Sequence, residues 1–197
     1  MRTIANSWKT IEEVLEENAN SVFRALRKPA TKGAIAQLET RIGAAKLPRD
    51  LMASLRIHDG LRNSFLGSVR LFNYWALLPS ATIASVWKSM VDLQAECNFG
   101  GDHVTTTKAI KNDSHWRAGW VPFLDADGDK FIIDLDPGPE GQKGQVICWS
   151  NSGSYPMRVL APSFQAWLSK LADRLSAREF RLDKHGAIWM DGDRDLW

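Results

Sequence analysis

Between residues 119 and 161 the sequence breaks into four short apolar runs, GWVPFLD, KFIIDLD, GQVICWSN and YPMRVLA, separated by glycine, proline, aspartate and asparagine. Runs of this length bounded by turn formers are strands, and strands joined by connections too short for a crossover pair antiparallel. A meander of this kind cannot bury its own faces, so the rest of the chain has to supply the cover.

Helical spacing supplies it on both sides. Trp8, Ile11, Leu15, Val22 and Leu26 predict one helix over 8–28, with glutamates early, RALRK late and Pro29 to close it; this charge order suits the helix dipole. TKGAIAQLETRIGAAK predicts a second helix on Ile35, Leu38 and Ile42 with Gly43 as its stop. LPRDLMASLRIHDG reads as a Pro-started short helix carrying Leu51, Leu55 and Ile57, closed by the Asp59-Gly60 turn. The aromatic stretch 65–78 predicts a strand, and PSATIASVWKSMVDLQAE a helix with Ile83, Val86, Trp87 and Met90 on one side. Residues 98–119 lack periodicity and read as loop. After the meander, Ser163 caps a helix striped by Phe164, Trp167, Leu168, Leu171 and Leu175, and the tail reads as a short strand with a polar end.

The expectation is an α+β fold: a single domain with a central, largely antiparallel sheet flanked by N-terminal and C-terminal helices. Residues 1–29 form its first helix, 30–180 its body, and 181–197 a strand and tail of the same domain.

Composition narrows the function. The chain has 197 residues, 25 Lys and Arg against 23 Asp and Glu, and a formal charge of +2. That balance gives no field to attract nucleic acid or an anionic membrane. No stretch has the unbroken apolar run of a signal peptide or a membrane span, and Cys97 and Cys148 fit no ligand spacing. The reading is a soluble cytoplasmic protein with no cofactor and no metal. Nine tryptophans stand out; tryptophan serves cores and interface anchors alike.

The densest polar feature is DADGDKFIIDLD. Asp125, Asp127, Asp129 and Asp136 fall at positions 1, 3, 5 and 12 of an EF-hand-like loop, but Lys130 stands where that loop needs glycine. Turn chemistry accounts for the aspartates of 125–129 better than metal binding does. Phe131, Ile133 and Leu135 share one strand face, and Ile132, Asp134 and Asp136 the other. A carboxylate beside Ile132 needs hydrogen bonds, a cation or water. Asp134 with Asp136 is therefore read as bracing the following PGPEGQKG loop. His58, His103, His115 and His185 lie apart, and a nucleophilic Cys97–His103 pair lacks an orienting third group. No GxSxG, P-loop or GxGxxG occurs.

LETRIGAAKLPRDLMASLRIHDG, with Leu47, Pro48, Asp59 and Gly60, resembles the front signature of the SUKH superfamily of Smi/Knr-type domains. GWVPFLDADGDKFIIDLDPGPEGQKGQV, with Trp120, Pro122, Asp134, Asp136 and Gly144, resembles its centre, and VLAPSFQAWLSKLADRL, with Phe164 and Trp167, its closing strand and helix. The resemblance covers about residues 30–180. It implies an α+β fold and a non-enzymatic binding role. Bacterial members are similar to immunity proteins that neutralise polymorphic toxins of nuclease or deaminase type; the fungal namesake regulates cell-wall glucan synthesis, with long disordered arms around the domain. The lack of such arms in this sequence favours the immunity reading, with a regulatory scaffold as the alternative and a metal-dependent hydrolase using Asp125–Asp136 as the remote one. The expected partner is a toxin domain, met by a monomer or weak dimer. Its docking edge is expected at Asp125, Asp127, Trp149, Tyr155 and Arg158, although Trp149 and Tyr155 could equally pack in the core.

Overall fold

The computed structural model describes residues 1–43, 46–62, 69–97, 104–105 and 107–190. The meander forms as the alternation predicts. β1 (Ala76–Leu77), β2 (Trp120–Ala126), β3 (Asp129–Asp134), β4 (Gln145–Trp149) and β5 (Arg158–Ala161) make a five-stranded antiparallel sheet in sequence order. Trp120 faces Asp134, Asp134 faces Gln145, and Cys148 faces Arg158. Pro122 has no N–H to give a ladder, and the β2–β3 register shifts between Pro122 and Leu124.

Among the described residues six helices stand around the sheet: α1 (Ile4–Asn18), α2 (Asn20–Ala25), α3 (Lys32–Ile42), α4 (Arg49–Leu55), α5 (Ser80–Cys97) and α6 (Phe164–Ser176). Thr3, Thr31 and Ser163 each accept a backbone N–H from inside the first turn of α1, α3 and α6. Gly43 ends α3 at φ 81.

Three sequence expectations are corrected. The single helix over 8–28 begins at Ile4 and breaks at Ala19, whose φ of −140 and ψ of 56 are not helical. Asn18 folds its amide back onto the Val14 carbonyl at 2.8 Å, the local competition that disfavours Asn in helices. The strand expected over 65–78 shrinks to Ala76–Leu77, because Asn73 turns the chain at φ 47; residues 63–68 lie outside the described residues. The tail carries two strands, β6 (Phe180–Leu182) and β7 (Ile188–Met190), paired as a hairpin, with 191–197 outside the described residues.

Both faces of the sheet are buried. Val121, Phe123, Phe131, Ile133, Val146 and Cys148 join the main core with the helices. Phe123 sits at its centre, edge-on to Trp167 at 4.9 Å and to Phe164 at 5.2 Å. On the other face Trp120, Ile132, Ile147, Trp149 and Met157 pack with Ile110 and Trp116 from the irregular segment before β2. The irregular stretch thus covers this face through apolar anchors rather than periodicity, together with Met90 and Val91 of α5.

Candidate partner-binding surface

The acidic run resolves into turn chemistry and internal pairs. Asp127 at φ 52 and Gly128 at φ 107 form the two-residue turn between paired Ala126 and Asp129, the both-positive geometry for which Asp-Gly is suited. Lys130, 5% exposed, donates to Asp125 Oδ2 at 2.7 Å and to the Gly128 carbonyl at 2.8 Å. Asp129 accepts the Asn151 N–H at 2.8 Å. Asp127 projects at the apex, its side chain 75% exposed and 3.9 Å from Arg70. Among the described residues no three His, Cys, Asp or Glu side chains are gathered to hold a metal ion.

Asp134 and Asp136 divide the bracing role. Asp134, fully buried, accepts from the Gln145 amide and from the Asp136 N–H, each at 2.9 Å. Gln145 also donates to the Ala109 carbonyl at 2.9 Å and accepts the Gln142 N–H at 3.1 Å. The PGPEGQKG loop is thus tied through Gln145. Burial pushes the Asp134 carboxyl up, and the Asp136 charge adds to this; the bonds from Gln145 and the Asp136 N–H offset the rise only in part. Asp136 reaches the other way, to Lys111 and to Arg117 Nη2 at 2.5 Å, so it anchors the segment before β2 rather than the loop that follows it.

The remaining signature residues are packing devices. Asp59, 8% exposed, accepts the Ser80 N–H at 2.7 Å and so holds the start of α5 from a distant turn. Gly60, at φ 72, lies where a Cβ would stand 2.4 Å from the Pro79 nitrogen. Leu47 is buried, and Pro48 meets the Gly144 turn, whose N–H donates to the Asp134 carbonyl at 2.7 Å.

Of the expected docking residues, Trp149 is corrected. It is fully buried, stacked edge-on to Trp116 at 5.5 Å, with its indole N–H given to the His115 carbonyl at 3.1 Å. The second covered face of the sheet is the reason. Asp125 is engaged by Lys130. Asp127, Tyr155 and Arg158 do meet, around a recess of about 300 Å³ whose walls include Tyr74, Trp75, Phe131 and Asp129. Burial pushes the Tyr155 phenol far up, and the Asp129 charge beside it adds to the shift.

Next to the recess stands a surface the sequence reading missed. Tyr74, 46% exposed, meets half-buried Trp189 edge-on at 4.9 Å. Arg70 lies over the Tyr74 ring at 5.0 Å and Arg181 over Trp189 at 5.5 Å. Asn73 fixes this arrangement, since its N–H donates to the Ile188 carbonyl and its side-chain oxygen accepts the Met190 N–H at 2.6 Å. The tryptophan excess was the one available signal. His103 of the conceived Cys97–His103 pair lies outside the described residues. No helix among the described residues is long and apolar enough to cross a membrane.

The fold defines a helix-flanked α+β meander domain closed by a C-terminal helix. Residues 29–170, well over half of the chain, match the SMI1 / KNR4 family (SUKH-1), and the chain belongs to that family. A cell wall biosynthesis/cell cycle regulator of Schizosaccharomyces pombe is 31% identical over 92% of this chain and 38% of its own length. A glucan synthesis regulatory protein of Neurospora crassa is 25% identical, over 92% of the chain and 40% of its own. The cell wall assembly regulator of Saccharomyces cerevisiae is 23% identical, over 96% and 44%. The chain spans less than half the length of these curated relatives.

Proposed function

We propose that this chain is a non-catalytic protein-binding domain that serves regulation of cell-wall or glucan synthesis, docking its partner at the Tyr74–Trp189 end of the molecule. The carrying observation is exposed Tyr74 packed on half-buried Trp189, flanked by Arg70 and Arg181 beside a recess. Tyrosine, tryptophan and arginine are the residue types that concentrate binding energy at interfaces. The relatives' names favour regulation over toxin neutralisation, the other role implied by the family resemblance. Two free cysteines suit a cytoplasmic setting.

A chimera tests the reading. This chain replaces the matching region of the Saccharomyces cerevisiae regulator in cells lacking that protein, and growth is scored on a cell-wall-binding dye. The expected result is restored growth, lost in Tyr74→Ala and in Trp189→Ala when both variants melt as the parent does. A folded, expressed chimera that restores nothing overturns the regulatory role. Full restoration by both variants places the docking surface elsewhere.

A further inference from the structure

We propose that the recess beside Tyr74 receives a cationic side chain, an arginine or lysine presented by the partner protein; this rests on the reading that this end of the sheet docks a protein.

The lining carries the argument. Tyr74, Trp75, Phe131 and Tyr155 give the recess aromatic walls, and Asp127 and Asp129 add two carboxylates; Arg158 is the guanidinium of the lining, and Arg70, outside it, reaches Asp127 at 3.9 Å. Aromatic faces attract cations through their quadrupole, and this attraction grows when the cation is partly desolvated in a recess. Guanidinium suits the site best, because its plane stacks on rings while its fork bonds carboxylates. The size agrees: about 300 Å³ admits one long side chain but no folded element.

The carboxylates are held unequally. Asp129 is fixed by the Asn151 N–H and lies beside Tyr155. Asp127 stands at the turn apex, largely in water, with Arg70 at 3.9 Å. An arriving cation thus meets an exposed carboxylate at the rim and a hydrogen-bonded one at the wall. The surface already shows the same chemistry twice, in Arg70 over Tyr74 and Arg181 over Trp189. Arg158 is the opposing charge, and it makes an acidic guest the serious competitor.

The experiment titrates the labelled protein with Nα-acetyl-arginine methylamide and follows the Trp75 indole N–H and the Gly128 and Asp129 amides by NMR. Nα-acetyl-citrulline methylamide is the neutral isostere, and Nα-acetyl-glutamate methylamide the acidic guest. Saturable shifts at these three groups are expected with the arginine probe at millimolar concentration. The citrulline probe should bind at least tenfold more weakly, and added salt should weaken the arginine probe. The double variant Asp127→Asn/Asp129→Asn should reduce arginine binding by a similar factor while keeping the fold, since Asn tolerates the positive φ at 127 and still accepts the Asn151 N–H at 129. Equal binding of citrulline, preferred binding of the glutamate probe, shifts elsewhere, or an unaffected double variant would each overturn the proposal. The two readings fail separately. A chimera that needs Tyr74 with no arginine binding removes only the cation; arginine binding with a chimera indifferent to Tyr74 and Trp189 removes only the docking role.

Discussion

The Asp136 N–H donates to the Asp134 carboxylate at 2.9 Å, yet the two side chains two residues apart are held in opposite electrostatic states. Asp134 is buried and its carboxyl is raised, burial being the main cause and the nearby Asp136 charge adding to it. At Asp136 partial burial also pushes up, but the bonds and charges of Lys111 and Arg117 outweigh it and hold the group low. One strand end thus carries two carboxylates of opposite pH response.

The linkage gives a test. Asp134, raised in the folded state, contributes stability that is fully present below the ordinary aspartate pKa and lost as pH rises through its folded value. Asp136, depressed, contributes stability present above the ordinary value and lost as pH falls through its folded one. Asp136→Asn should therefore cost roughly 1 kcal/mol at neutral pH, as solvent screens this pair, with the cost vanishing in acid. Asp134→Asn keeps one acceptor but sets an amide against the donating Gln145, costing about 1–3 kcal/mol near neutrality. The neutral side chain cannot share the wild type's gain on acidification, so its deficit should widen as pH falls toward 4. Urea melts between pH 3.5 and 7.5 measure both; parallel profiles for the two variants would refute the assignment.

Asp59 and Gly60 yield a second prediction. The carboxylate satisfies the first N–H of α5, and the glycine lets the turn approach Leu78 and Pro79. Asp59→Ala should cost about 1–2 kcal/mol, the value of a lost cap. Gly60→Ala should cost more than the roughly 1 kcal/mol of left-handed strain, because the clash is with backbone that cannot step aside. Thermal melts of both variants check the order; Gly60→Ala melting within a degree of the parent would contradict the close approach.

Much of this fold was legible because alternation and turn residues carry strands locally. Asp127-Gly128 set the hairpin, and Ser163 with the Phe164–Trp167–Leu171 stripe set α6. What failed had nonlocal causes. For Trp149 the sequence left docking and core packing equally open, and nothing periodic announces that Trp116 and Ile110 cover the second face. Tyr74 and Trp189 are brought together by Asn73, across a separation no local pattern spans. The first helix ends at Asn18, before a non-helical Ala19, although its apolar spacing continues past it. Asp127, Tyr155 and Arg158 line one recess because loops at one end of a sheet converge.

The chain has two tyrosines, and their surroundings differ enough to separate them chemically. Tyr74 is 46% exposed, whereas burial and the Asp129 charge hold the Tyr155 phenol far above its ordinary range. N-Acetylimidazole at neutral pH should modify Tyr74 well before Tyr155, read by peptide mass. At alkaline pH the unfolded chain ionises Tyr155 first, so stability from this group, present below about 10, is lost as pH rises toward the folded value. Tyr155→Phe should flatten the alkaline side of the stability profile. Equal modification of the two tyrosines, or an unchanged alkaline profile, would contradict the burial of Tyr155.

The acidic turn gives the last prediction. A calcium loop presents about six to eight oxygens to the ion and needs its carboxylates unengaged. Here the Lys130 ammonium occupies Asp125 and the Gly128 carbonyl, and Asp129 is committed to Asn151, which leaves Asp127 at the apex with Arg70 at 3.9 Å. Calorimetric titration with calcium, magnesium or manganese should show no saturable heat at micromolar concentration. The lysine is structural: removing one partner of a buried pair leaves an uncompensated charge, so Lys130→Met should destabilise by roughly 3 kcal/mol. Asp127→Asn, which keeps the turn and breaks no buried contact, should stay within about 0.5 kcal/mol of the parent. A one-site calcium isotherm abolished by Asp127→Asn would reverse the reading and make the turn a metal loop. A Lys130→Met variant as stable as the parent would show that the ammonium is not what holds the aspartates.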